Sequence, residues 1–156
     1  MRRLPIALTA LALALSAAAC NREPPKTTAD LVADLRNPDP DARRDAADDL
    51  RTDQGVPAEA VGALLQAIQV ERDKKAYGAM LITLGRSGVP EARPIIDARL
   101  PEPDKDMRRW ASRALKYWMI ANRQLPPDAE LPKGWPYGQP GFPPPLPEER
   151  DEDDDD

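Results

Sequence analysis

The side chains that could do chemistry in this 156-residue sequence are a single cysteine, Cys20, and many carboxylates. Histidine is absent, which excludes Ser-His-Asp and Cys-His catalytic pairs and histidine metal ligands. Ser87 and Ser112 are the only serines after Cys20, and neither stands in a nucleophile-elbow sequence. No glycine-rich phosphate loop occurs in the sequence. We therefore expect a protein that is not an enzyme and that uses no cofactor and no catalytic metal.

Cys20 stands at the end of an N-terminal leader. Met1-Arg2-Arg3 is a short positive region, residues 4–15 are apolar and rich in Leu and Ala, and small residues precede the cysteine. This pattern predicts a signal peptide over residues 1–19. The apolar run is too short to be a good membrane span. Ordinary signal-peptidase cleavage would leave a soluble protein with a free thiol.

The run Leu15-Ser16-Ala17-Ala18-Ala19-Cys20 resembles the lipobox of bacterial lipoproteins, with Ala17 where leucine is commonest. The resemblance implies that the Cys20 thiol receives a diacylglycerol, that cleavage precedes it and that acyl chains anchor the protein in a membrane. Residues 20–27 would then be a lipidated tether. Because Asn21 is not the aspartate associated with inner-membrane retention, the resemblance implies the outer membrane, facing the periplasm.

Charge is distributed unevenly along the chain. Residues 21–147 contain 19 basic and 19 acidic side chains, whereas Glu148–Asp156 contains eight carboxylates and one arginine. The neutral body gives no reason to expect nucleic acid as a partner. Nine of residues 126–147 are proline, so we predict a disordered, Pro-rich and acidic tail over residues 123–156. Its carboxylates could bind Ca²⁺ weakly or fold back on the basic sixth helix.

The predicted sixth helix is basic because it carries Arg108, Arg109, Arg113, Lys116 and Arg123. These side chains could form a patch for an anionic partner, or simply a solvated helix face. Arg43 and Arg108 could instead hold a ligand, or pair with aspartates of their own turns and tie adjacent repeats together. The sequence leaves open whether Trp135-Pro136-Tyr137 docks on the helices or stays exposed for a partner. The residues of the possible interaction surface are Arg108, Arg109, Arg113 and Lys116.

These side chains must be positioned by a repeated helical unit. Gly-Val-Pro occurs at residues 55–57 and 88–90, 33 residues apart, and is followed closely by Glu-Ala each time. A period of this size is typical of stacked helix pairs. Apolar residues at helical spacing predict six helices, of which the second, fourth and sixth align on Leu50, Leu84 and Leu115. We expect Thr28 to cap the first helix, Pro94 to disturb the fifth, and Trp110 and Trp118 to cover the last open face.

The second helices also share their entry: an acidic turn is followed by Arg43 in one helix and by Arg108 in another, while Tyr77 stands at the middle position. Together with the Gly-x-Pro/Glu-Ala entry, this resembles the HEAT-like repeats of phycobilisome-lyase proteins. The resemblance implies an all-α fold, a short α-solenoid of about three antiparallel helix pairs over residues 28–122. Tetratricopeptide repeats have a similar period, but their Trp, Gly-Tyr and Pro positions are not in register here.

The sequence therefore predicts a non-catalytic lipoprotein of a bacterial cell envelope whose helical-repeat domain is a scaffold for protein–protein interactions. The protein partner is not identified, because a fold does not imply a function. Two alternatives stay open. The chain could be an accessory factor to an enzyme or to cofactor attachment, as some HEAT-like proteins are. It could also be a structural spacer whose Pro-rich tail supplies reach.

Overall fold

The computed structural model describes residues 25–132, 134–137 and 140–141, and within these ranges it contains six α-helices and no strand. The prediction of an all-α fold is confirmed. The leader with Cys20 and the acidic run lie outside the described residues. The helices are α1 (Thr28–Asp34), α2 (Pro40–Asp49), α3 (Ala58–Val70), α4 (Lys74–Ser87), α5 (Ala92–Asp97) and α6 (Lys105–Ala121).

Helices α2, α4 and α6 all begin after an aspartate whose carboxylate accepts a hydrogen bond from a first-turn amide. Such an acceptor satisfies one of the amides that have no partner within the helix. The same start therefore recurs in every second helix. The three bonds run from the Asp41 amide to Asp39, from the Ala76 amide to Asp73 and from the Met107 amide to Asp104, at 2.9–3.0 Å.

Two helix starts differ from the prediction. Thr27, not Thr28, caps α1, because its hydroxyl and the carboxylate of Asp30 each bind the other residue's backbone amide in a capping box. Helix α5 begins only at Ala92. Pro94 therefore falls in the first turn, where amides lack an intrahelical partner, so the expected loss of a hydrogen bond does not occur.

Helix α4 lies at the centre of the molecule. It packs against α2 and α6 and also contacts α3 and α5, and residues 76–85 are all buried. Gly85 allows the closest approach to α6, because a Cβ there would lie 2.3 Å from the Ala114 carbonyl oxygen. The buried Thr83 hydroxyl donates a hydrogen bond to the Ala47 carbonyl of α2 at 2.7 Å. The backbone of α4 thus packs closely on α6 at Gly85, and the Thr83 side chain joins α4 to α2.

The two tryptophans of α6 contact α4 and the turn before α5. The Trp110 ring lies against Gly78 of α4, where a Cβ would come within 2.4 Å of the ring. The Trp118 side chain is 9% exposed, and its indole N–H donates to the Val89 carbonyl at 2.9 Å. A glycine of α4 thus makes room for the Trp110 ring, and a carbonyl of the turn before α5 accepts the hydrogen bond from Trp118.

Arg43 and Arg108 hold the turns before α2 and α6 in the same way. A terminal nitrogen of each donates to the backbone carbonyls five and six residues earlier. The predicted pairing with turn aspartates is wrong, because these guanidiniums bind the carbonyls of their turns instead. Arg43 also binds Glu71 bidentately, at 2.6 and 2.8 Å. Because Glu71 follows α3, this ion pair joins the first helix pair to the second.

Each Gly-Val-Pro triplet is expected to be a joint between helix pairs, in which the glycine ends one helix and the proline starts the next. Gly88 ends α4 with φ 70°, in the left-handed region that favours glycine. Pro57 immediately precedes α3. In the second joint, however, Pro90 lies two residues before α5. The glycine as a helix end is confirmed at Gly88, and the proline as a helix start is confirmed at Pro57.

Candidate interaction surface

The predicted lipidation site, Cys20, lies outside the described residues. Of the predicted tether at residues 20–27, the last part is described: Lys26 binds Asp34 of α1 at 2.7 Å, and Thr27 caps the same helix. In the portion of the chain that the structure describes, no helix is both long and apolar enough to cross a membrane.

The four basic residues predicted as an interaction surface all lie on α6, but they have different neighbours. Arg108 binds the carbonyls of the preceding turn, and the Lys116 ammonium donates to the Ala129 carbonyl at 2.8 Å. Arg109 and Arg113 are both exposed. Two of the four thus hydrogen-bond to backbone carbonyls, and the other two are exposed.

Trp135, Pro136 and Tyr137 dock on the helices, which resolves the alternative that the sequence left open. Pro136 is fully buried, and the two aromatic rings pack against the core. The Tyr137 hydroxyl lies 3.2 Å from the Ser112 hydroxyl of α6, and burial raises the pKa of Tyr137. The expectation that residues 126–147 lack packed structure therefore does not hold for this segment, because its aromatic side chains find apolar surface on α6.

A cleft of about 340 Å³ opens where α2, α4 and α6 meet. All three helices contribute to its wall, and three of its side chains are arginines. We call it the arginine cleft. Its lining residues are Asp48, Arg51, Ile82, Arg86, Arg113 and Tyr117.

The residues that line the arginine cleft stand one or two positions from the aligned leucines. The leucines on which the sequence aligns these helices, Leu50, Leu84 and Leu115, are fully buried. Because these leucines face the core, they determine which of the neighbouring residues reach the cleft. The cleft therefore lies beside the aligned leucines of the three helices. Two positions before the leucines stand Asp48, Ile82 and Arg113, and two positions after the last two stand Arg86 and Tyr117.

The Tyr117 ring brings two of the arginines together. The guanidinium of Arg86 lies 5.5 Å from the ring centroid, and that of Arg113 lies 5.8 Å from it. The negative face of an aromatic ring attracts such cations. Arg86 also donates to the Thr52 carbonyl, after α2, at 3.2 Å. Contacts of this kind hold two like charges near each other in defined positions.

The electrostatics of the cleft are dominated by positive charge. Arg51 forms an ion pair with Asp48, and burial raises the pKa of that aspartate. The Tyr117 pKa is lowered, first by a hydrogen bond with Arg113 and further by its charge and those of Arg86 and Arg51. Three guanidiniums face one carboxylate, so the cleft favours anionic groups.

Sequence reasoning selected Arg113 but missed Arg51, Arg86 and Tyr117. A signal for them was present, because they stand within two positions of the aligned leucines. The leucine spacing identifies the buried face of each helix and leaves its flanking positions unassigned. Which of those flanking side chains share a cleft depends on how the helices cross.

The other candidate groups are engaged in local structure. The Ser87 hydroxyl donates to the Leu84 carbonyl at 2.7 Å and the Ser112 hydroxyl to the Arg108 carbonyl at 2.9 Å. Among the residues that the structure describes, no group of three or more Cys, Asp or Glu side chains is placed to hold a metal ion.

Comparisons of the chain with protein families, curated proteins and solved structures gave no match.

Proposed function

We propose that this chain is a non-catalytic scaffold that binds an acidic region of a partner protein in the arginine cleft. The observation that carries the proposal is the convergence of three arginines on one open cleft: Arg86 from α4, Arg113 from α6, and Arg51, which stands two residues after the end of α2. Guanidiniums bind carboxylates in a bidentate geometry that ammonium groups cannot match. A protein partner with acidic side chains fits this surface by charge and by donor geometry.

We further propose that the six helices form three HEAT-like repeats stacked as a short α-solenoid. Three recurring features support this: the aspartate caps of α2, α4 and α6, the turn-holding Arg43 and Arg108, and the buried leucines at one register. In stacks of this kind, equivalent positions of successive repeats build one extended binding surface. Asp48, Ile82 and Arg113, which line the arginine cleft, stand at such equivalent positions.

The proposal includes a lipid anchor at Cys20, which would hold the scaffold on a membrane of the bacterial envelope, facing the periplasm. Its support is the leader sequence with its small residues before the cysteine. Metabolic labelling with a lipid precursor tests it directly: the native chain should be labelled and the Cys20→Ala variant should not. Equal labelling of both chains, or of neither, would contradict the anchor.

Site-specific photocrosslinking in cells tests the scaffold. A crosslinking residue at Thr52, at the edge of the cleft, should capture a partner protein, whereas one at Val70, which is 72% exposed at the end of α3, should not. Capture from Thr52 should fall in Arg86→Gln and Arg113→Gln but not in Arg109→Gln, which removes an exposed charge of α6 outside the cleft lining. Equal capture from Thr52 and Val70 would refute the assignment of the cleft.

A further inference from the structure

The arginine cleft presents its charges in a form that is ready to bind. Arg86 is held by the Thr52 carbonyl and by the Tyr117 ring, and Arg113 lies near the same ring. Side chains already restrained in this way lose less conformational entropy when a ligand binds. Each guanidinium has five N–H donors, so both can bind carboxylates while keeping these contacts.

The chain carries a segment with the complementary chemistry. Residues 148–156 contain eight carboxylates and one arginine. The remaining charges of the body balance, with 19 basic and 19 acidic side chains in residues 21–147. Arg51, Arg86 and Arg113 line the arginine cleft together, so the cleft offers this segment a concentrated positive site.

The connection between the two is long enough. The Tyr137 hydroxyl lies against Ser112, and the next residue of α6, Arg113, lines the cleft. Eleven residue steps lead from Tyr137 to Glu148, and an extended chain of that length spans up to roughly 36 Å. A helix with its side chains is about 10–12 Å across. The acidic run can thus reach the cleft from the docked Tyr137 without moving it.

We propose that the arginine cleft is occupied by residues 148–156 of the same chain, and that an acidic partner must displace them. This inference rests on the proposed function, because it names a competitor for the same surface. A tethered segment acts at an effective concentration on the order of millimolar, so individually weak ion pairs are enough to fill the cleft. The acidic run is then an autoinhibitory segment that raises the affinity a partner needs.

A peptide-binding experiment tests the site. A fluorescein-labelled peptide of residues 148–156 should bind the purified chain that ends at Pro147, measured by fluorescence anisotropy at low salt. Binding should be roughly tenfold weaker to Arg86→Gln or Arg113→Gln, from loss of charged hydrogen bonds, and unchanged in Arg109→Gln. The same peptide with amides in place of its carboxylates should not bind. This change is made in the peptide, so it cannot affect the folding of the protein. Equal binding of both peptides overturns the proposal.

The full-length chain tests occupancy within one molecule. Carboxylates near Tyr117 raise its pKa, so the chain ending at Pro147 should show a lower Tyr117 pKa than the full chain, measured by NMR with ¹³Cζ-labelled tyrosine and assigned with Tyr117→Phe. Equal pKa values in the two chains overturn the proposal. A difference that grows with protein concentration also overturns it, because the occupant is then a second copy.

The outcomes also separate this inference from the proposed function. If truncation at Pro147 leaves both the Tyr117 pKa and partner capture from Thr52 unchanged, while capture still depends on Arg86 and Arg113, self-occupancy fails and the scaffold stands. If the peptide binds as expected but no capture from Thr52 depends on those arginines, self-occupancy stands and the scaffold fails. When both are correct, truncation at Pro147 increases capture from Thr52.

Discussion

Substitution of Gly85 by alanine should separate the two helices that build most of the arginine cleft. A Cβ at this position would lie 2.3 Å from the Ala114 carbonyl oxygen and 2.8 Å from its carbonyl carbon and Cα. These are backbone atoms of α6, so no side-chain rotation can relieve the clash. Helix α6 must move away from α4, and Arg86 and Arg113, which neighbour these two residues, must move apart with it.

The magnitude follows from two opposing terms. Overpacking a well-packed interface costs about 1–3 kcal/mol, and a clash with backbone favours the upper end. Alanine gains about 1 kcal/mol over glycine within a helix. We expect a net loss of about 2 kcal/mol in the free energy of unfolding, equivalent to a fall in Tm of roughly 10 °C for a domain of this size.

Gly62→Ala is the matched control, because Gly62 lies in α3 and no neighbouring atom is within 4 Å of the position that an alanine Cβ would take. It should gain up to about 1 kcal/mol from helix propensity alone. Both variants carry the same gain, so the difference between them measures the clash, about 3 kcal/mol. Urea unfolding of the purified proteins, followed by far-UV circular dichroism, provides the comparison. Equal stability of the two variants would refute the close packing at Gly85.

Three further results are expected. Thr83→Val should lower the free energy of unfolding by about 1–3 kcal/mol, because a carbonyl of α2 loses its buried donor, and Thr83→Ser should recover part of the loss in urea unfolding. Arg43 lowers the pKa of Glu71 from its usual 4.5, so the stabilisation is present above that pH and is lost as the pH falls below it. Glu71→Gln should flatten this acid-induced loss in unfolding measured across pH; an unchanged slope would contradict it. Arg113→Gln should raise the pKa of Tyr117 towards 10.0, measured by NMR titration, and an unchanged value would exclude their hydrogen bond.

Most of the secondary structure was predictable from the sequence, since helices of this kind are encoded locally. Aspartates before α4 and α6, prolines near the starts of α2 and α3, and Gly88 after α4 are signals that act within a few residues. The helical period of the apolar residues placed the aligned leucines in the core, where they are fully buried. The sequence was less accurate where a helix start depends on a single residue, as at Thr27 and Ala92.

The proposed interaction surface depended on information that no local pattern contains. Whether a guanidinium hydrogen-bonds within the protein depends on which carbonyl lies within its reach, as for Arg43. Which arginines lie near each other depends on how closely two helices approach, as α4 and α6 do at Gly85. Composition and periodicity were sufficient to establish an all-α chain with a charged last helix. The grouping of Arg51, Arg86 and Arg113 in one cleft came from the packing of three helices, because residues far apart in the chain become neighbours only when the core brings their helices side by side.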